Sequence, residues 1–160
     1  MDKPLPGYRR SHGFTLVELM VVVVIAAVLA GVAAPSFSKA IASQRARSAG
    51  TELYLALLKA RSEAIKRNAA VTLAPKSGGW QNGWQIVNPA DATDILEDHG
   101  ATAGATITGP TSVIYRPSGR LLAGSAASVV VTSGSGSNAS SQCVAVELTG
   151  QPYTRAGSSC

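Results

Sequence analysis

Histidine and cysteine are scarce, two of each in 160 residues, with no Cys-x-x-Cys pair and no histidine cluster. That scarcity argues against the common zinc sites, which gather Cys and His ligands at short spacings. It also leaves little for nucleophilic catalysis. His12 lies in a basic N-terminal stretch and His99 in an acidic one beside Asp98, while serines and threonines are scattered without a base partner. Metal binding by His99 with Asp94, Glu97 and Asp98 stands as an alternative to a plain solvated loop, and the loop is the simpler reading. We therefore expect no enzyme, no cofactor and no metal. The two cysteines, Cys143 and Cys160, lie late in the chain. A disulfide is the simplest reading, which requires an oxidising compartment, and two unrelated reduced thiols are the alternative.

A net charge of +5 suggests an acidic partner such as nucleic acid or phospholipid, but the charge is unevenly placed. Residues 1–13 carry +2. Between Lys39 and Asn68 seven bases face two acids, whereas residues 69–160 hold four bases against five acids and come to −1. The basic character belongs to one segment in the first half, and the distal part is not basic.

Charge is all but missing from one long run. Phe14 to Ala34 reads FTLVELMVVVVIAAVLAGVAA, 21 residues whose only charge is Glu18. About 20 apolar residues are what a helix needs to cross a bilayer. The bases precede this run and the bulk of the chain follows it, so the positive-inside tendency places residues 1–13 in the cytoplasm and the remainder outside. A secretory signal has a shorter apolar core and a small-residue cleavage site at its far end, a site that Ala33 and Ala34 could mimic. The near end argues otherwise. Gly13 directly precedes Phe14, and a lone carboxylate at Glu18 would cost about 2.5–3.5 kcal/mol at the centre of a lipid-embedded helix, so it needs a partner or a task.

The segment GFTLVELMVVVVIAAVLAGVAAP resembles the N-terminus of type IV pilins and type II secretion pseudopilins. The resemblance implies that a prepilin peptidase cuts between Gly13 and Phe14, that the new amino group of Phe14 is methylated, and that Glu18 guides docking into a filament. There the carboxylate would neutralise the amino terminus of a neighbouring Phe14. Other pilins or pseudopilins, the peptidase and an inner-membrane assembly platform are the partners implied. The expected location is the inner membrane, single-pass with the head in the periplasm, and then a pilus or pseudopilus.

Pro35 ends the apolar run and predicts a bend. The helical pattern resumes beyond it, with Ala49, Leu53, Leu57, Ala60 and Ala64 at spacings of three and four. One helix from Phe14 to about Asn68 is expected, roughly 80 Å long at the usual rise per residue. After Asn68, runs of Val, Ile and Thr broken by Gly, Pro and Asn predict strands near 70–74, 83–88, 105–109, 112–116, 128–132 and 143–148, with a weaker one near 152–155. Residues 133–138, SGSGSN, read as a flexible loop. Trp80 and Trp84 flank a turn at Gly83 and read as core.

The expected fold is α+β: a long helix, transmembrane half plus amphipathic half, packed on an antiparallel sheet in the ladle form of a pilin. The expected parts are a leader 1–13, a transmembrane or filament-core helix 14–35, an amphipathic helix 36–68 and a β-rich head 69–160. The head resembles the GspH/FimT minor-pilin domain in RSEAIKRN leading into a VTL strand, in GWQNGW, in VIYRPSGR and in the late cysteine pair. That resemblance implies a minor subunit that helps to initiate pilus assembly, with a type II secretion minor pseudopilin as the alternative. It also raises DNA binding during natural transformation, through a C-terminal motif matched here by residues 150–155. Arg155 is the only base in that stretch, and Arg116 and Arg120 are the other candidates.

Overall fold

The structure is a computed structural model that describes residues 13–122 and 126–160, apart from the side chains of residues 32–35. The leader up to His12 lies outside the described residues, whereas at Pro35, where a bend is expected, the backbone continues as helix. The chain divides into two units, one up to Pro35 and one from Ser36. A single helix, α1 (Leu16–Arg67), begins in the first and ends in the second.

In the first unit α1 starts on a cap. The Thr15 hydroxyl accepts from the Glu18 backbone N–H at 3.2 Å, and the Glu18 carboxylate accepts from the Thr15 N–H at 3.0 Å. This reciprocal Thr-x-x-Glu arrangement is a capping box, satisfying two donors that a helix start leaves open. The side chains that follow, from Leu16 to Leu29, are exposed. Among the described residues this helix alone is long and apolar enough to cross a membrane.

In the second unit α1 buries a stripe dominated by alanine. Ala42, Ala46, Ala49, Ala56, Ala60 and Ala64 alternate with Leu53 and Leu57, and all are almost wholly buried. Small side chains on this stripe let the strands lie close to the helix axis. The helix ends in a Schellman motif. Asn68 takes the left-handed conformation at φ 50, Ala69 N–H donates to the Ala64 carbonyl, and Asn68 N–H donates to that of Ile65.

Eight strands follow: β1 (Val71–Pro75), β2 (Trp84–Asn88), β3 (Asp91–His99), β4 (Ala105–Thr108), β5 (Val113–Tyr115), β6 (Ala127–Ser133), β7 (Ser140–Val146) and β8 (Pro152–Ala156). They form two four-stranded sheets with antiparallel pairing throughout, in the orders β3-β2-β1-β5 and β4-β6-β7-β8. The chain changes sheet at Gly109-Pro110, because β5 returns to pair with β1 (Val71 opposite Tyr115) instead of with β4. Alternate residues of both sheets, among them Leu73, Ile86, Tyr115, Val131 and Val144, meet the alanine stripe in one core.

Two sequence expectations need correction. Residues 91–99, read as a solvated acidic loop, form the nine-residue edge strand β3, with Glu97 opposite Ile86 and His99 opposite Trp84. An edge strand that is mostly exposed has no need of the apolar alternation that marks its neighbours. Its carboxylates are tied to other elements instead, Glu97 to Lys59 at 2.9 Å and Asp98 to Lys76. The SGSGSN tract is shorter as a loop than expected. A 3-10 turn at Gly136–Asn138 joins β6 to β7, and β7 begins at Ser140 because backbone pairing continues through Thr132 opposite Ser141.

The late cysteines form a disulfide, Cys143–Cys160, with Cα atoms 5.6 Å apart. It fastens the last residues to β7. A closed loop of this size contributes about 3 kcal/mol by chain-entropy reasoning. Trp80 and Trp84 are both core residues, buried at ring centroids 6.5 Å apart.

Candidate functional site

The residues singled out for processing and docking lie together at the start of α1. Gly13 is in open space: a Cβ there would meet nothing within 4 Å, so nothing within the described chain requires glycine. Phe14 is 77% exposed. One carboxylate oxygen of Glu18 accepts both the Thr15 N–H and the Thr15 hydroxyl, each at 3.0 Å. The other has no hydrogen bond among the described residues. The arrangement can therefore hold the helix start and still offer an acceptor to a cation. This local role was legible as Thr15-x-x-Glu18, a capping-box pattern that reading Glu18 only as a membrane-embedded acid overlooks.

The three arginines raised as DNA contacts are all exposed, but they lie on different elements. Arg116 and Arg120 bracket one tight turn, in which Gly119 N–H donates to the Arg116 carbonyl and Arg116 N–H to that of Arg120, both at 2.8 Å. Arg155 is on β8, opposite Cys143. The two segments do approach each other. Gly150 lies so close to the Arg116–Arg120 turn that a Cβ there would come within 1.8 Å of the Gly119 carbonyl oxygen and 3.1 Å of the Arg120 Cα. With φ at +86, Gly150 is also in a conformation that side chains resist.

Beneath this junction lies Arg61 from α1. Its Nη1 donates to the Gln151 side chain at 2.8 Å, while its Nε and the nearby Tyr115 hydroxyl are buried without partners among the described residues. Burial pushes the Tyr115 phenol far above its ordinary range, against the opposing pull of the Arg61 cation. Tyr115 is thus a neutral core residue. Sequence reasoning missed the Arg61–Gln151 tie because the partners are 90 residues apart and the two motifs they stand in give no sign of meeting.

His99 does not gather ligands. Its ring stacks on Trp84 with centroids 3.9 Å apart, its Nε2 faces Glu52 at 3.2 Å and its Nδ1 faces the Gly100 carbonyl at 2.8 Å. Asp94 accepts from Asn88, Glu97 pairs with Lys59 and Asp98 with Lys76, so the four groups of the metal alternative are each engaged elsewhere. That alternative is corrected by their partners.

The family of type II transport protein GspH matches residues 49–150, from the buried half of α1 to the turn before β8. The chain belongs to the GspH family. The prokaryotic N-terminal methylation motif matches residues 8–34, which include Gly13, Phe14 and Glu18. Among solved structures, two crystal forms of the type IV minor pilin FimU of Pseudomonas aeruginosa (strain PAO1) are similar in fold. One has a TM-score of 0.62 at 19% identity, covering 73% of this chain and 96% of that one. The other has a TM-score of 0.59 at 20% identity, covering 71% and 98%. Curated proteins give no match. The chain thus combines a GspH-family head, an N-terminal methylation motif and the fold of a pilin. Arg116 and Arg120 lie inside the matched head, and Arg155 lies beyond it.

Proposed function

We propose that this GspH-family chain is a minor subunit of a type IV pilus that helps to initiate assembly after processing at its N-terminus. In this reading a prepilin peptidase cuts between Gly13 and Phe14 on the cytoplasmic side, and the new amino group of Phe14 is methylated. Residues 14–35 hold the chain in the inner membrane with its head in the periplasm, until the assembly platform adds it to a filament beside other pilins. The observation that carries the reading is the start of α1. Among the described residues, a glycine with nothing to require it precedes an exposed phenylalanine and a capped helix whose carboxylate keeps an unbonded oxygen. A residue without a side chain suits close approach by a protease.

Mass spectrometry of chain recovered from the inner membrane tests the processing. The expected N-terminal peptide starts at methylated Phe14, and one that retains Gly13, or starts after Ala34, would sink the proposal. The alternative filament is a type II secretion pseudopilus, favoured by the name of the matching family. Deletion of the chain separates the two: loss of surface pili points to the first, loss of secreted proteins with pili intact to the second.

DNA binding is a second reading, supported by Arg116, Arg120 and Arg155, which are exposed and make no ion pair among the described residues. With few bases and a distal charge of −1, affinity would come mainly from counterion release and fall steeply with salt. A gel-shift titration with the full chain is expected to retard duplex DNA at low salt, less so after Arg155→Ala. No retardation at low salt excludes it.

A further inference from the structure

Strand β3 stands at the edge of its sheet and, among the described residues, pairs only with β2. Its other support is α1. Glu97 and His99 are two residues apart on β3 and so share one face of it, where Glu97 reaches Lys59 at 2.9 Å and His99 reaches Glu52 at 3.2 Å. Lys59 and Glu52 are about two helical turns apart. These two rungs run in opposite senses, acid to base and base to acid, and they differ in kind. Lysine and glutamate keep their charges near neutral pH, whereas an imidazole gains or loses its own between about pH 5 and 8.

The His99 ring meets an acceptor at each nitrogen. Nδ1 lies 2.8 Å from the Gly100 carbonyl oxygen, and Nε2 points to the Glu52 carboxylate. Neither oxygen can donate. A neutral imidazole has one N–H, so in either tautomer its other nitrogen would turn a lone pair on an oxygen. Only the imidazolium donates to both. The ring is not free to swing aside, because the strand register sets His99 opposite Trp84 and the two rings stack with centroids 3.9 Å and planes 5° apart. An indole face also attracts a cation.

The surrounding charges leave the Glu52 carboxylate to His99, and it has no other ion pair among the described residues. From β2 the ring faces Trp84, which does not titrate. Along β3 itself, Glu97 and Asp98 are held by Lys59 and Lys76. Arg45, about two turns before Glu52 on α1, packs on Gly104 in the loop to β4.

We propose that His99 is a pH-sensitive latch between β3 and α1. Charged, it closes the second rung. When it loses its proton one of the two acceptors must be released, and the end of the edge strand loosens from the helix. Contacts that only the charged ring can make stabilise the closed strand at acid pH, and that stabilisation is lost as pH rises through the titration of His99. The latch goes beyond the filament-subunit reading and does not depend on it.

Hydrogen exchange of the full-length chain in detergent, read by mass spectrometry of peptides covering residues 91–99, tests the latch. His12→Ala is introduced throughout, which leaves His99 as the only histidine. Protection factors, which divide out the intrinsic pH dependence of exchange, are compared at about pH 5.5 and pH 8, the span over which histidine titrates. Protection of β3 is expected to fall about fivefold at the higher pH, the scale of one partly exposed ion pair, while that of β7 stays unchanged. Glu52→Gln should remove the difference, because a carboxamide can turn its N–H to a neutral ring and its oxygen to a charged one. His99→Gln, which does not titrate, should show none either. Equal protection of β3 at the two pH values, a fall shared by β7, or a fall that persists in either variant would overturn the latch.

Discussion

Replacing Glu18 by alanine is expected to leave the cut after Gly13 intact and to lower recovery of the chain in sheared filaments about a hundredfold. In the proposed filament the carboxylate faces the amino terminus of a neighbouring Phe14 among apolar helices. Removing one partner of a buried pair leaves the other charge uncompensated, which costs several kcal/mol. The capping box complicates the reading, because alanine also removes the bonds to Thr15. Two further variants separate the effects. Thr15→Ala removes the cap and costs about 1 kcal/mol of helix stability, so incorporation should change little. Glu18→Gln keeps an acceptor for the cap but loses the charge, and should fail nearly as badly as alanine. Immunoblots of the filament and membrane fractions give the ratio. Normal incorporation of Glu18→Ala would refute the docking role, and full rescue by glutamine would reduce Glu18 to a cap.

Trp84→Ala should be the most damaging substitution in the head. Trp84 is fully buried where β2 starts, stacks on His99, and lies 6.5 Å from Trp80. Truncating a buried tryptophan costs about 3–5 kcal/mol, a large share of the roughly 5–15 kcal/mol that holds a domain of this size. A fall of about 10–20 °C in the thermal midpoint is expected, read from near-ultraviolet circular dichroism in detergent. The indole N–H makes no hydrogen bond among the described residues, so Trp84→Phe should lose packing volume alone and fall much less. A small shift for the alanine variant would mean that the sheets close over the gap. Gly83→Ala tests the same corner through the backbone. At φ +104, its Cβ would lie 2.1 Å from the His99 carbonyl oxygen and 2.8 Å from that of Gly100, contacts that no side-chain rotation relieves.

The boundaries of α1 and seven of the eight strands were legible because each follows a local rule. The helix shows apolar residues at three and four steps, and the strands show Val, Ile and Thr between turn residues. Strand β3 was not legible, since DATDILEDH is acidic and polar and becomes a strand only because β2 offers it a backbone edge. The split into two sheets was also hidden. Nothing local to Val113–Tyr115 states that these residues will pair with β1, some 40 positions earlier, instead of with β4 next to them. His99 shows the same limit: flanking acids suggested a ligand cluster, whereas each of those acids is claimed by a lysine or an asparagine brought in from another element.

The sequence by itself determined the membrane-length apolar run, the Gly13–Phe14 junction and the acid five residues after that junction, because each is a matter of local composition and order. The tertiary structure decided the rest: that Glu18 closes its own helix cap with one oxygen left unbonded among the described residues, and that Arg61 ties α1 to the turn before β8. Those features depend on which face of a helix the sheets cover and which distant residues they bring alongside, and a linear pattern carries neither.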